Sequence, residues 1–190
     1  MIAQPVLDIE AARRVKFVVF DVDGVMTDGG VFLGDVDGRR LEFKKYDIQD
    51  GLGILLLRWA GLRVGIITGR VSESVALRAA ELKVDDLVQD DQARKLPSLR
   101  KICHKHGIGM DEVAFLGDDL PDVGVLREVG LPVVVANATP DAVKAAKVHL
   151  TRSGGAGAVR EFCELLLRAR GEWDPLVERY VQSRAEGQVK

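Results

Sequence analysis

Five short apolar runs recur along the chain, and a helical pattern follows each of them. The runs cover residues 16–23, 63–68, 86–89, 112–118 and 132–138. Short buried strands that alternate with helices are typical of βα units on a parallel sheet. We therefore predict one doubly wound, Rossmann-like α/β domain over residues 1–190, and we allow for an added edge strand at 149–151.

The segments between these strands have their own signals. Asp37-Gly38 separates two short arms with apolar residues, which predicts a β-hairpin inserted after the first strand, at about residues 30–46. We predict helices at 51–61, 73–83, 94–106, 121–130 and 140–148. In the C-terminal tail, about residues 153–190, we expect two more helices, a flexible link at "SGGAG" (153–157) and a frayed end from 185 onward.

Composition limits the possible partners. Hydrophobic residues make up 47% of the chain, charged residues 29%, and the formal net charge is −2. These values are typical of a soluble globular protein and give no indication of nucleic-acid or membrane binding. Cys103 and Cys163 show no metal-binding or redox spacing, so we expect buried free thiols. No leader or membrane-spanning segment is evident, which predicts a cytoplasmic protein.

Polar residues accumulate where the predicted strands end. They are Asp21 and Asp23 after the first strand, Thr68, Gly69 and Arg70 after the second, Lys95 beyond the third, and Asp118, Asp119 and Asp122 after the fourth. In open α/β sheets, ligands bind beyond the carboxyl ends of the strands. If the first strand continues to Asp23, its two carboxylates face the same side. Because like charges repel, a cation is then needed beside them.

These residue types suit phosphoryl transfer with Mg²⁺. Carboxylates that leave positions open for water and phosphate are good Mg²⁺ ligands, so Asp21 and Asp118 would bind the ion with a backbone carbonyl. Asp21 could attack phosphorus and form an aspartyl-phosphate, while Asp23 acts as general acid and then as general base. Asp119 and Asp122 could instead be acids that stabilise a helix N-terminus.

The remaining polar residues of this group would hold the phosphate. We expect the Thr68 hydroxyl, the Gly69 N–H and the Lys95 ammonium to bind the phosphoryl oxygens. An EF-hand loop, which also begins with Asp-x-Asp, is excluded because Val25 occupies its fifth position.

Four segments together resemble the motifs of the haloacid dehalogenase-like phosphohydrolases. They are "FDVDGVMTDG", "IITGR", Lys95 and "GDDLPD", and the resemblance extends over residues 15–150. It implies a sheet of five or six strands, Asp21 as nucleophile and Asp23 as acid/base. It also implies that Thr68 and Lys95 bind phosphate, and that Asp21, Asp118 and the main-chain oxygen of Asp23 hold Mg²⁺. The spacings leave no room for a cap domain, so the site would be open or closed by a neighbouring subunit.

Two further segments indicate which family within these phosphohydrolases the chain resembles. "YDIQDGLGILLL" and "TRSGGAGAVREFCELLL" are similar to the 3-deoxy-D-manno-octulosonate 8-phosphate phosphatases, which make a precursor of lipopolysaccharide. That resemblance implies a homotetramer in which hairpins pack together and tails reach neighbouring sites. The substrate-binding residues that it implies, besides Asp23, are Asp47, Ile48, Gln49, Asp50, Gly51, Arg70 and Arg78.

The chain departs from this pattern at two positions, and other functions stay open. Gln49 and Leu55 stand where many members have basic residues, so positive charge near a carboxylated sugar is reduced. A nine-carbon keto-sugar-acid 9-phosphate or other sugar phosphates are therefore alternative substrates. A third interpretation is a non-catalytic oligomerisation module, against which the complete set of catalytic residues argues.

Overall fold

The computed structural model describes residues 5–185, and its helices and strands follow the predicted alternation. They are α1 (Ile9–Arg14), β1 (Phe17–Phe20), β2 (Phe32–Val36), β3 (Arg39–Phe43), α2 (Ile48–Trp59), β4 (Arg63–Thr68), α3 (Glu73–Leu82), β5 (Asp86–Gln89), α4 (Lys95–His106), β6 (Val113–Gly117), α5 (Leu120–Leu126), β7 (Leu131–Val134), α6 (Pro140–Ala145), β8 (Val148–His149), α7 (Ala158–Ala169) and α8 (Trp173–Ala185). The predicted frayed end lies, apart from Ala185, outside the described residues, and a single domain over 1–190 stays a prediction.

Six parallel strands form the central sheet in the order β5-β4-β1-β6-β7-β8. The chain runs outward from β1 to β5 and then returns to place β6 on the other side of β1. The strand order therefore reverses between β1 and β6, where ligands bind in sheets of this kind. The doubly wound sheet is confirmed, and no cap domain interrupts residues 5–185.

The side chains of β1 alternate between two apolar layers, one on each face of the central sheet. Val18 and Phe20 pack in the layer that includes Phe162 of α7, whereas Phe17 and Val19 pack in the layer that includes Leu99 of α4. All four β1 side chains are fully buried. This explains why the run has no polar residue before Asp21, since a central parallel strand is covered on both faces. Within the described residues, no helix is both long and apolar enough to cross a membrane.

The hairpin β2–β3 is confirmed as an insertion that stays apart from the central sheet. Asp37 and Gly38 both have positive φ angles, 53° and 73°, as a two-residue hairpin turn of type I′ requires. Every residue of β2 is exposed. The base of the hairpin is fastened to the domain by a bridge between Thr27 and Tyr46.

Several predicted boundaries were wrong. The first strand ends at Phe20 and not at residue 23, because the Val22 carbonyl accepts hydrogen bonds from the backbone N–H groups of residues 25, 26 and 27. Gly24, with φ 92°, completes this turn. Helix α2 begins at Ile48, since Asp47 caps it. Helix α1 was not predicted, and α5, β7 and α6 end earlier than expected.

Helix α7 is part of the core. Its residues Phe162, Cys163, Leu166 and Leu167 are buried against the sheet and α2. The predicted two helices of the tail are present as α7 and α8. Cys163 and Cys103 are buried free thiols, as expected.

Candidate active site

The ends of β1, β4 and β6 place acidic, hydroxyl and basic side chains around one cavity of about 220 Å³. It is lined by Asp21, Asp23, Thr68, Gly69, Arg70, Ala93, Lys95, Asp118, Asp119, Pro121 and Asp122. The structure thus brings together every residue for which the sequence predicted a role in catalysis, phosphate binding or metal binding. Their roles themselves stay predictions.

Lys95 is buried at the centre of this cavity wall. Its Nζ lies 2.8 Å from an oxygen of Asp21 and 2.7 Å from an oxygen of Asp122, and the side chain is only 4% exposed. Burial alone would lower the pKa of Lys95, but the charges of Asp21 and Asp122 hold it above its ordinary value. The lysine therefore stays a cation beside the proposed nucleophile.

Three carboxylates offer oxygen atoms that all lie within 4.8 Å of one another, on Asp21, Asp118 and Asp122. Oδ1 of Asp118 is buried and has no hydrogen-bond partner among the described residues. A Cβ atom at Gly24 would stand 2.1 Å from Oδ2 of Asp118, so only glycine leaves space for that carboxylate. An unpartnered, buried carboxylate oxygen next to a second carboxylate fits a bound Mg²⁺.

The raised pKa values of Asp21 and Asp118 also indicate that their ionised forms need a cation nearby. Burial, with the nearby charge of Asp122, raises the pKa of Asp21 to about 8 and that of Asp118 to about 7. A divalent ion would offset both effects and keep the carboxylates ionised.

Asp122 supports the other acids and is less available as a ligand. Its Oδ2 accepts hydrogen bonds from the backbone N–H of Asp118 at 2.9 Å and of Asp119 at 3.3 Å, while Oδ1 contacts Lys95. Asp119 is the N-cap of α5, and Asp122 completes its capping box. The prediction that these two acids serve a helix N-terminus agrees with this geometry.

Thr68 and Gly69 end β4 at the edge of the same cavity. Thr68 is 1% exposed, and its hydroxyl accepts a hydrogen bond from the backbone N–H of Arg70. A Cβ at Gly69 would lie 2.9 Å from the Cβ of Ala93, so the β4 loop and the loop before α4 approach closely. Thr68 and Lys95 both line the cavity between these loops.

Asp23 does not stand beside Asp21 on one strand face, as the sequence suggested, because the chain turns after Phe20. Its carboxylate is ion-paired with Lys44, and Nε of Arg70 lies 3.8 Å away. The repulsion between the two acids is thus reduced by separate lysines, Lys95 for Asp21 and Lys44 for Asp23. Lys44 could not be identified from the sequence, since nothing in the "KK" that follows β3 indicates which lysine points inward.

The segment 153–157 is packed against the loop that follows β1, which corrects the prediction of a flexible link. A Cβ at Gly154 would stand 1.8 Å from the Gly24 carbonyl oxygen, and Gly155 donates to the Val25 carbonyl at 3.3 Å. Asn137 joins the two segments: its amide group donates to the Gly24 carbonyl at 3.1 Å and accepts from Gly154 N–H at 2.7 Å. These glycines allow the backbone of 153–157 to lie directly against the backbone of the loop after β1, and they do not form a flexible link.

The predicted substrate-binding residues fall into two groups. Arg70 lines the cavity, but the residues of the run 47–51 do not. Asp47 caps α2, Ile48 is 83% exposed, and Gln49 borders a different cavity, of about 440 Å³, next to α7. The run 47–51 of the chain therefore lies outside the lining of the catalytic cavity, and its role in substrate binding stays a prediction.

Asp50 and Arg78, two of the predicted substrate-binding residues, have structural partners. Asp50 is only 2% exposed, and its Oδ1 accepts a hydrogen bond of 2.8 Å from the backbone N–H of Arg160 at the start of α7. The Asp50 carboxylate is therefore enclosed between α2 and α7, and a role of Asp50 in substrate binding stays a prediction. Arg78 donates to the Asp47 carbonyl, and its guanidinium lies 3.0 Å from the place of a Cβ at Gly51.

We expect Asp50→Asn to change how stability depends on pH. Burial, opposed by the Arg160 hydrogen bond, raises the pKa of Asp50 to about 6. The folded state then binds the proton more tightly than the unfolded state, so this group's contribution falls as the pH rises from about 4 to 6, at a total cost of about 3 kcal/mol.

The measurement is urea unfolding of both proteins between pH 4.5 and 7.5. The stability of Asp50→Asn relative to the wild type should be greatest near pH 7 and should decrease as the pH is lowered. A difference that does not vary with pH would contradict the proposed titration.

Comparison with known proteins identifies first the class that this fold and site define. A family model described as haloacid dehalogenase-like hydrolase matches residues 86–162. The chain is also 39% identical, over 166 residues, to the 3-deoxy-D-manno-octulosonate 8-phosphate phosphatase of Escherichia coli K12, and the match covers 87% of this chain and 86% of that relative. The chain belongs to the haloacid dehalogenase-like hydrolases and, within them, to the family of these phosphatases.

Solved structures agree with this assignment. The 3-deoxy-D-manno-octulosonate 8-phosphate phosphatase of Moraxella catarrhalis, crystallised with a magnesium ion, a phosphate ion and a KDO molecule, has a TM-score of 0.85 and 37% identity, covering 90% of this chain and 97% of that one. A cobalt-bound deoxy-D-mannose-octulosonate 8-phosphate phosphatase from Haemophilus influenzae has a TM-score of 0.80 and 31% identity, covering 86% and 93%.

Proposed function

We propose that this protein is a Mg²⁺-dependent phosphatase that hydrolyses 3-deoxy-D-manno-octulosonate 8-phosphate to the free sugar acid and phosphate, in lipopolysaccharide precursor synthesis. The observation that carries the proposal is the cavity in which Asp21, Lys95 and Asp118 meet at the reversal of strand order. The similarity to phosphatases of the same substrate over most of the chain supports it.

Each residue of the cavity has its own role in the proposed reaction. Asp21 attacks phosphorus, and the bond from phosphorus to the sugar oxygen breaks as Asp23 delivers a proton to that oxygen. Asp23 then removes a proton from the water that hydrolyses the aspartyl-phosphate and restores Asp21. Lys95, Thr68 and the Gly69 N–H hold the phosphoryl oxygens throughout.

Asp21, Asp118 and the main-chain oxygen of Asp23 would hold Mg²⁺, which neutralises phosphoryl charge when bound. Phosphate release from a panel of sugar-acid phosphates, with Mg²⁺ and with chelator, tests the proposal. We expect the eight-carbon acid to be the best substrate and chelator to abolish turnover. Activity that is equal with chelator would contradict the metal requirement.

A second candidate keeps the chemistry and changes the substrate. Gln49 and Leu55 give this chain a neutral surface at two positions of the substrate-binding segment. A nine-carbon keto-sugar-acid 9-phosphate, or a broader set of sugar phosphates, is the alternative that this difference favours. The same panel separates the two, since the ratio of kcat/KM for the eight- and nine-carbon acids decides between them.

We also propose that the active unit is a homotetramer joined through its hairpins. Four apolar side chains of the hairpin, Phe32, Leu33, Val36 and Phe43, are each more than half exposed. An isolated two-stranded hairpin is marginal in water, and its open edges invite pairing with symmetry mates. Association would also bring residues 47–51, which follow the hairpin, to the mouth of a neighbouring cavity.

Light scattering should therefore give about four chains per particle for the wild type. We expect Phe32→Ser combined with Leu33→Ser to give smaller particles, because apolar area is removed from the contact. Val181→Ser on α8, where the side chain is 53% exposed, is the control and should keep the wild-type mass. A monomeric wild type with full substrate selectivity would refute this part of the proposal.

For the location in the cell, we propose the cytoplasm. Cys103 and Cys163 are buried free thiols, as is usual in a reducing compartment.

A further inference from the structure

Lys44 is a buried cation at the base of an exposed hairpin. Its side chain is 0% exposed, although β2 of the same hairpin is exposed throughout. Taking an ammonium group out of water costs several kcal/mol unless it is paired. An apolar residue could cover this position at lower cost, so the stability of the hairpin alone does not explain a lysine here.

The partners of Lys44 lead to the catalytic cavity. Its Nζ is paired with Oδ1 of Asp23 and lies 3.4 Å from Oε1 of Glu42. On the other side, Arg70 lies 3.8 Å from Oδ2 of Asp23 and 3.0 Å from Oε2 of Glu42. The four side chains form a closed group of two acids and two bases, and two of its members, Asp23 and Arg70, line the catalytic cavity.

This arrangement fixes the direction of the Asp23 carboxylate. Asp23 belongs to the turn that follows β1, whereas Asp21 is still held to the sheet by a hydrogen bond from its backbone N–H to the Leu116 carbonyl of β6. Contacts to both carboxylate oxygens limit rotation of the group. A general acid is effective only when it stays within hydrogen-bond reach of the oxygen that it protonates.

We propose that Lys44 is a positioning residue that holds Asp23 for proton transfer to the leaving oxygen, which rests on the proposed function of the site. Through Lys44, the packing of the hairpin determines the geometry of the acid/base. The chain thereby uses one element for two purposes, its surface for association and its base for catalysis.

The test compares two leaving groups in single-turnover reactions of Lys44→Met with Mg²⁺. The leaving oxygen of a primary-alcohol phosphate needs a proton as its bond to phosphorus breaks, whereas p-nitrophenolate leaves as an anion. We expect release of the alcohol to slow by about 30-fold or more and release of p-nitrophenolate by about 3-fold or less, because removal of general acid catalysis typically costs about 100-fold. A purely structural role for Lys44 would slow both reactions equally.

Lys45→Met is the matched control, since Lys45 is the adjacent lysine, is 64% exposed and pairs only loosely with Asp28 at 3.5 Å. It should leave both rates unchanged. If Lys44→Met does not fold, Lys44→Arg retains the charge and displaces it by the size of the guanidinium. In Lys44→Arg, release of the alcohol should then slow by about 3- to 10-fold, and release of p-nitrophenolate should stay unchanged.

The outcomes separate the inference from the proposed function. Equal slowing of both esters, or no slowing of either, overturns the role of Lys44 and leaves the phosphatase proposal standing. A wild type that releases phosphate from neither ester refutes the proposed function and the inference with it.

Discussion

Asp21→Asn is expected to lose at least about three orders of magnitude in turnover. The amide cannot form the acyl-phosphate, and it removes one carboxylate from the group that would hold Mg²⁺. Losses of this size are usual when a nucleophile is removed. Steady-state phosphate release measures the effect.

The fold of Asp21→Asn should stay intact, because Lys95 keeps its ion pair with Asp122. The control is Asp141→Asn, the same change at an exposed acid that pairs with Lys144 on α6. It should retain full activity. Near-normal turnover of Asp21→Asn would show that the covalent mechanism is wrong.

Lys95→Met should be damaging in both activity and stability. Removing the lysine leaves Asp21 and Asp122 buried without their cation, and loss of one partner of a buried ion pair typically costs about 3–5 kcal/mol. Turnover should fall by about a hundredfold or more, since a cation at the phosphoryl oxygens is also lost.

Urea unfolding and phosphate release of the same preparation test both parts. Lys101→Met, an exposed lysine on the same helix, is the control and should change neither property. If Lys95→Met is as stable as the control, the two acids compensate for the lysine in some other way, and the importance of this ion pair is overstated.

The central sheet and the catalytic cavity could be predicted because their signals are local. Each strand is a short apolar run, and parallel strands end at one edge, so residues as distant as Asp21 and Asp118 could be placed together without any pair contact. The turn after Phe20 was missed for a physical reason. Val22 and Val25 are apolar and buried like strand residues, and only the hydrogen bonds to the Val22 carbonyl reveal the turn.

The supporting residues could not be predicted, since each acts through one long-range contact. Lys44 reaches Asp23 from a hairpin whose pattern is that of a surface element. Asn137 joins Gly24 and Gly154, although the sequence placed it within the predicted strand at 132–138. The sequence also could not show that the glycines of 153–157 are tightly packed. Glycine is favoured both where backbones pack closely and where a link is flexible.

The attachment of the loop after β1 to residues 137 and 154–155 has a consequence for biosynthesis. The proposed nucleophile and acid/base are translated among the first 23 residues, but the partners that hold their loop are translated more than a hundred residues later. A ribosome-bound chain that stops before residue 137 has Asp21, Asp23, Thr68, Lys95 and Asp118 and lacks the residues that hold the loop after β1. Catalytic competence should therefore appear late and abruptly during synthesis, when residues 137 and 154–155 pack against this loop, and a nascent chain should not hydrolyse phosphate esters before that point.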